Sequence, residues 1–215
     1  MDDVFAVRAA ERRATADLLA GLTAEQWAHA SLCSAWTVKD VAVHLLPNLG
    51  KGMGEFLLAV VRSKGSLHGA SESLVAKYAA TMTTTEIVQE LRDHADDRFA
   101  PPGVGALGPY TDVLVHRLDI AVPLGIEVDR PVEPWRAAMD FLISNKGRRG
   151  FVKRGLPELT LRASDLDWSH GTGPEVTDPE VTGPAAALGL SLCGRSALLD
   201  RLSGPGRESL ATWVG

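Results

Sequence analysis

Asp112, His116 and Asp119 lie four and three residues apart within the stretch Tyr110 to Gly125, YTDVLVHRLDIAVPLG. At about 100° per residue, the three fall within a wedge of about 60° on one side of a helix. Pro109 just before the stretch, and Pro123 with Gly125 at its end, supply a start and a stop. Most of the remaining perimeter is apolar, from Val113, Leu114 and Val115 through Leu118, Ile120, Ala121 and Val122. A helix apolar nearly all round is largely buried. Arg117, roughly opposite the stripe, is expected to mark its wet side, which turns the acid–His–acid stripe inward. Ionised groups are costly to bury unless paired or bound to a metal. An Asp and a His one helical turn apart can share a divalent cation, the imidazole giving nitrogen and the carboxylate oxygen. The plainer alternative is an Asp–His hydrogen bond that satisfies itself. Local spacing does not decide between them, and a third ligand has to come from elsewhere in the chain.

A second histidine stands in W36TVKDVAVH44. Thr37 reads as an N-cap, with Asp40 in the first turn where the helix dipole favours an acid. The helix is expected to run to about Lys64, with Pro47 kinking it just past His44. Asp40, His44, Asn48, Lys51 and Glu55 then share one stripe. That stripe is either a solvated face or, in its upper part around His44, the wall of a cleft.

Composition narrows the function classes. The chain has 215 residues, an ordinary apolar fraction and a net charge of −5 with acids and bases interspersed. No basic stripe points to nucleic acid, and no polybasic segment points to a membrane surface. Cys33 and Cys193 are far apart and in no metal or redox spacing, so they read as small core residues of a protein from a reducing, cytoplasmic setting. The opening MDDVFAVRAAERR has no signal-peptide pattern, and no apolar run reaches membrane-spanning length.

The other elements place these residues. A first helix is expected over Asp3 to Leu19, with Val4, Val7, Ala14 and Leu18 inside and Arg8, Arg12 and Arg13 wet. Thr23 with Gln26 forms a capping-box pattern, and Thr83 caps a helix carrying Ile87, Val88 and Leu91. Between them, Ser63 to Ser73 reads as a Gly/Ser connection holding an exposed His68, and Glu72 to Thr81 as a helix. His94 reads as surface. Ala100 to Pro109 is a Pro- and Gly-rich loop of the kind that lines sites. Pro134 opens a helix to about Asn145, and the Gly-broken Lys146–Gly150 reads as a linker between domains at 1–148 and 149–215. Leu159, Leu161 and Ala163 alternate at strand period, followed by a hairpin with His170 in its turn. Thr182-Gly-Pro184 opens a helix that Gly194 closes, and Arg195 comes directly after. Helices followed by a strand-bearing tail give an α+β chain.

Three segments together resemble a known family: W36TVKDVAVHLL46, T111DVLVHRLDIAVPLG125 and V181TGPAAALGLSLCGR195. Their order and content are similar to the mycothiol-dependent maleylpyruvate isomerases of actinobacteria, within the wider DinB-like metalloenzyme group. The resemblance implies a DinB-like four-helix bundle followed by a small sterol-carrier-like α+β domain. It implies a divalent metal, usually zinc, held by a histidine from the second helix and an E-x-x-x-H pair from a later one. The matching positions are His44, Asp112 and His116, with Arg195 as the distal arginine and mycothiol as the thiol cofactor. Asp112 departs from the pattern, being one methylene shorter than the Glu of the family's best-known enzyme. Asp119, and Asp40 one turn before His44, fall where they can orient the ligating imidazoles.

The chemistry of such a donor set can be stated without the resemblance. Two imidazoles and a carboxylate around a tetrahedral cation leave one position open. A water there becomes more acidic, and a thiol there is held as its nucleophilic thiolate. Arg195 suits a substrate carboxylate. Three functions remain open on these residues. One is a thiol-dependent isomerase or S-transferase acting on a small electrophile, one a small-molecule or thiol-binding protein, and one a metal hydrolase using bound water.

Overall fold

The computed structural model of the protein describes residues 4–46, 53–64, 67–101, 103–171 and 177–215. The chain forms two compact units, one of residues Met1–Phe99 with Asp119–Ile126, the other of Ala100–Leu118 with Glu127–Gly215.

The first unit is helical. It contains α1 (Val4–Ala20), α2 (Ala24–Ala28), α3 (Val38–His44), α4 (Met53–Arg62), α5 (Leu67–Thr81) and α6 (Thr84–Asp93). Capping boxes start three of them. Thr23 pairs with Gln26, Thr37 with Asp40 and Thr83 with Glu86, each side chain answering the other's backbone N–H. The long second helix expected from sequence is two elements: α3 ends at His44 with Leu45 as its cap, and α4 starts at Met53. Pro47, and the Asn48 and Lys51 of the expected stripe, lie outside the described residues. The Gly/Ser segment expected as a connection instead begins α5, so the backbone at His68 is helical.

α1 reverses its expected orientation. Arg8 is fully buried and Arg12 is buried, while Val4, Val7, Ala14 and Leu18 are half-buried. The reason lies in the segment after α6, residues 94–99, whose carbonyls need donors. Arg12 Nη1 donates to the carbonyls of Ala95 at 3.2 Å and Asp97 at 3.1 Å. Arg8 donates to the carbonyls of Asp97 and Phe99, the latter at 2.9 Å. A guanidinium is weakly hydrated and has five donors, which makes this burial possible. Only Arg13 stays exposed, paired with Asp96. Burial, aided by repulsion from Arg8, pulls the Arg12 pKa down to about 10. A base with a lowered folded pKa binds fewer protons folded than unfolded. Its contribution to stability therefore rises with pH from about 10 towards its ordinary value, and its charge is a cost at neutral pH. The carbonyl hydrogen bonds offset that cost.

The second unit holds most of α7 (Leu107–Ala121), then α8 (Pro134–Ile143) and α9 (Asn145–Gly150). Three strands follow, β1 (Thr160–Ala163), β2 (Ser169–His170) and β3 (Glu180–Gly183), and then α10 (Ala185–Leu192) and α11 (Arg207–Val214). The sheet order is β2-β1-β3, with β2 antiparallel and β3 parallel to β1. The fold class is α+β, helix-rich with a small sheet, as expected. His170 sits in β2 and not in a turn, though it is exposed. The expected linker at Lys146–Gly150 is the helix α9, capped by Ser144. A Cβ at Gly147 would come 2.0 Å from the Phe141 carbonyl oxygen, so only glycine lets α9 close on α8. Tyr110 is anchored by donating to the Pro134 carbonyl at 2.8 Å, and Trp168 by donating to Asp140 at 2.7 Å. α10 is buried along its length, and Ala185 N–H is capped by Asp165 at 2.8 Å.

α7 is enclosed on every side from Val113 to Ala121. Arg117 is only 3% exposed, so it marks no wet side, and the wheel's polarity at that point is overruled by enclosure. Among the described residues, no helix is long and apolar enough to cross a membrane.

Arg12→Ala orphans several carbonyls at once and should lower unfolding free energy by about 2–4 kcal/mol in urea titrations. Arg13→Ala, removing an exposed pair, should stay within about 0.5 kcal/mol.

Candidate metal centre

His44 is the last residue of α3, and its direction follows from how that short helix is fixed. Val38, Val41, Ala42 and Val43 are all fully buried, which sets the helix rotation. At the start of the helix, Asp40 Oδ2 accepts from Thr37 N–H at 2.8 Å and from the Thr37 hydroxyl at 2.6 Å. The preceding loop is tied down by Ser31, whose N–H and hydroxyl both donate to the Trp36 carbonyl, at 3.0 and 2.9 Å. Trp36 then lays its ring 5.1 Å from the His44 ring, tilted by 47°. His44 Nδ1 lies 3.2 Å from the Ser71 hydroxyl of α5.

On α7, Asp112 is half-buried, His116 is 8% exposed and Asp119 is fully buried. The inward direction read from sequence is therefore the observed one for His116 and Asp119. His116 Nε2 and Asp112 Oδ1 are 3.8 Å apart. That contact is too long for a hydrogen bond. Two ligands of one tetrahedral zinc, each at about 2.1 Å, stand about 3.4 Å apart. The spacing is thus nearer to a shared cation than to a self-satisfying pair. Asp119 Oδ2 accepts from the Cys33 thiol at 3.1 Å, and its backbone carbonyl accepts from Leu32 N–H at 3.1 Å.

His44, Asp112 and His116 each bring a ligand atom within 4.8 Å of the others. A second group meets the same limit: Cys33, His116 and Asp119. His116 belongs to both. The donor set of the first, two imidazoles and one carboxylate, fits a divalent cation of zinc type.

The remaining sequence-derived candidates, Asp40 and Arg195, each have local contacts of their own. Asp40 commits a carboxylate oxygen to the capping box, and the residue on His44 Nδ1 is Ser71 instead. Arg195 follows the left-handed Gly194 at the end of α10 and donates from Nη1 to the Cys193 carbonyl. Its backbone N–H closes the helix on the Leu190 carbonyl at 3.0 Å. Sequence reasoning missed two residues. From sequence Cys33 reads as a small core residue, and no spacing signal ties it to Asp119, which is 86 positions away. Ser71 was hidden in a Gly/Ser stretch whose helical spacing is weak.

Residues 8–100 match the family described as the mycothiol maleylpyruvate isomerase N-terminal domain. The match takes in Cys33, His44 and Ser71 and stops short of Asp112, His116 and Arg195. Two solved structures share the fold. A crystal structure of the mycothiol-dependent maleylpyruvate isomerase is 13% identical with a TM-score of 0.54, and that of a histidine-to-alanine mutant is 14% identical with a TM-score of 0.56. Each alignment covers 94% of this chain and 91% of the other. No curated protein matches the chain.

Removing the buried Asp119 carboxylate tests whether it organises this region. Asp119→Ala strips the Cys33 thiol of its acceptor and leaves a polar void. It should cost about 1–3 kcal/mol of unfolding free energy in a denaturant titration. No change in the midpoint would show that Asp119 organises nothing.

Proposed function

We propose that the chain is a metal-dependent, mycothiol-dependent isomerase or S-transferase acting on a small, carboxylate-bearing electrophile. The observation that carries this reading is the gathering of His44, Asp112 and His116. It is supported by the family match of residues 8–100 and by the fold shared with a mycothiol-dependent maleylpyruvate isomerase. In this reading the N-terminal 1–148 form a DinB-like bundle and 149–215 a sterol-carrier-like domain.

The three residues hold the metal, zinc by the chemistry of the donors. When bound, a divalent cation supplies Lewis acidity that keeps a thiol deprotonated and nucleophilic at neutral pH. The chain does the rest. Asp112 provides a short carboxylate arm that lowers the net charge of the site. Asp119, grouped within 4.8 Å of a His116 ring nitrogen, orients that imidazole. Cys33 and Leu32 hold Asp119 in place, the thiol at its carboxylate and the Leu32 N–H at its backbone carbonyl. Asp40 fixes the start of α3, and through it the approach of His44. Arg195 engages the substrate carboxylate through its planar fork and so orients the electrophilic carbon.

Protein purified without a histidine tag should contain near-stoichiometric zinc by elemental analysis, and His44→Ala and His116→Ala should each lose it. Zinc-free wild type with a melting temperature indifferent to added zinc would leave a small-molecule-binding protein. Turnover of a cis-unsaturated dicarboxylate should require added mycothiol. Zinc-dependent turnover in its absence would point to bound water as the nucleophile in place of a thiol. Arg195→Ala should raise KM for the carboxylate substrate by about tenfold or more with zinc content unchanged, and Arg195→Lys should recover only part of that, for want of a bidentate fork.

A further inference from the structure

We propose that Ser71 is a positioning residue for His44: its hydroxyl accepts the Nδ1 proton of the imidazole and so commits Nε2 as the nitrogen turned to a cation. This rests on the metal reading of His44 given above and adds to it a determinant on a different helix.

The geometry is local to the packing of α5 on α3. Ala70, fully buried, and Leu74 seat α5 in the first unit. That seating brings Ser71, half-buried, to 3.2 Å from His44 Nδ1. His44 needs outside support because it ends its helix, where backbone hydrogen bonding is weakest. Two contacts replace what the helix end lacks. The Trp36 ring, 5.1 Å away and tilted by 47°, limits how the imidazole can lean. Ser71 fixes which edge faces which way.

The choice of edge has a chemical consequence. A neutral imidazole carries its proton on one nitrogen and a lone pair on the other, and only the lone pair can bind a cation. A hydroxyl can donate or accept, so the contact distance leaves its direction open. Metal binding settles it. With Nδ1 beside Ser71, Nε2 is the ligand, so Nδ1 keeps the proton and the hydroxyl accepts. Ligating histidines generally hand their second N–H to an acceptor, and loss of such acceptors costs about 10- to 100-fold in metal affinity. A hydroxyl is a weaker acceptor than a carboxylate. His44 would therefore be less electron-rich than an imidazole backed by a carboxylate.

The test uses the full chain in two measurements. Nitrogen-15 spectra of the metal-free protein, with the His44 signals identified by their loss in His44→Ala, should show the Nδ1–H tautomer. Ser71→Ala should shift the population towards Nε2–H, and Ser71→Thr, which keeps the hydroxyl, should restore it. Zinc affinity, by competition with a chromophoric chelator, should fall about 10- to 100-fold in Ser71→Ala and stay close to wild type in Ser71→Thr. A purely structural serine would move neither the tautomer nor the affinity once the metal-free melting temperatures agree. An Nε2–H tautomer in the wild type overturns the proposal, even if Ser71→Ala fails to fold. So does a Ser71→Ala protein with unchanged tautomer and affinity, while zinc loss in His44→Ala would still uphold the metal reading. Wild type that takes up no zinc sinks that reading, and this proposal with it.

Discussion

Burying ionisable groups on α7 is the constraint around which this structure is arranged. A fully buried carboxylate and a nearly buried imidazole, one turn apart on an enclosed helix, are stable only if the surroundings supply partners. Asp119 receives a thiol proton from Cys33, and the Leu32 N–H reaches its carbonyl. The loop that carries these two residues also carries Trp36, which leads into α3 and His44. The same few residues thus satisfy α7 and aim the remote histidine. A loop that looks irregular from sequence is a brace with hydrogen bonds at both ends.

The arginines of α1 show the same logic in a purely structural setting. Arg8 and Arg12 are buried because the segment after α6 presents carbonyls that need donors, with attraction from Asp97 adding to those hydrogen bonds. Hydrogen-bonding demand outweighs the cost of desolvating the charge, a cost visible in the lowered pKa of Arg12. Hydrophobic pattern alone cannot anticipate this. The helix has no strong apolar face, and the deciding groups are backbone oxygens some 80 residues away.

Legibility in the sequence followed from the range of the interactions. Caps set by neighbours three residues apart were readable: Thr23, Thr37 and Thr83 behave as their patterns imply. So was the inward turn of His116 and Asp119, because periodicity reports which groups share a face. The gathering of His44 with Asp112 and His116 is a long-range fact, and it could be expected only through the family resemblance. Arg117 misled because a fully enclosed helix has no wet side for a charge to mark. Ser71 and Cys33 were illegible for a simpler reason. Each has a side-chain hydrogen bond to a distant residue, and nothing in its local spacing records that bond.

The central claim is that two imidazoles and one carboxylate surround a single cation. X-ray absorption at the zinc edge of the thiol-free, zinc-loaded protein addresses it most directly. The account predicts a four-coordinate shell of nitrogen and oxygen, with outer-sphere scattering from two imidazole rings and no sulfur. A sulfur neighbour at about 2.3 Å would place the ion with Cys33 and Asp119 instead, and a shell without two imidazoles would contradict the assignment of His44 and His116.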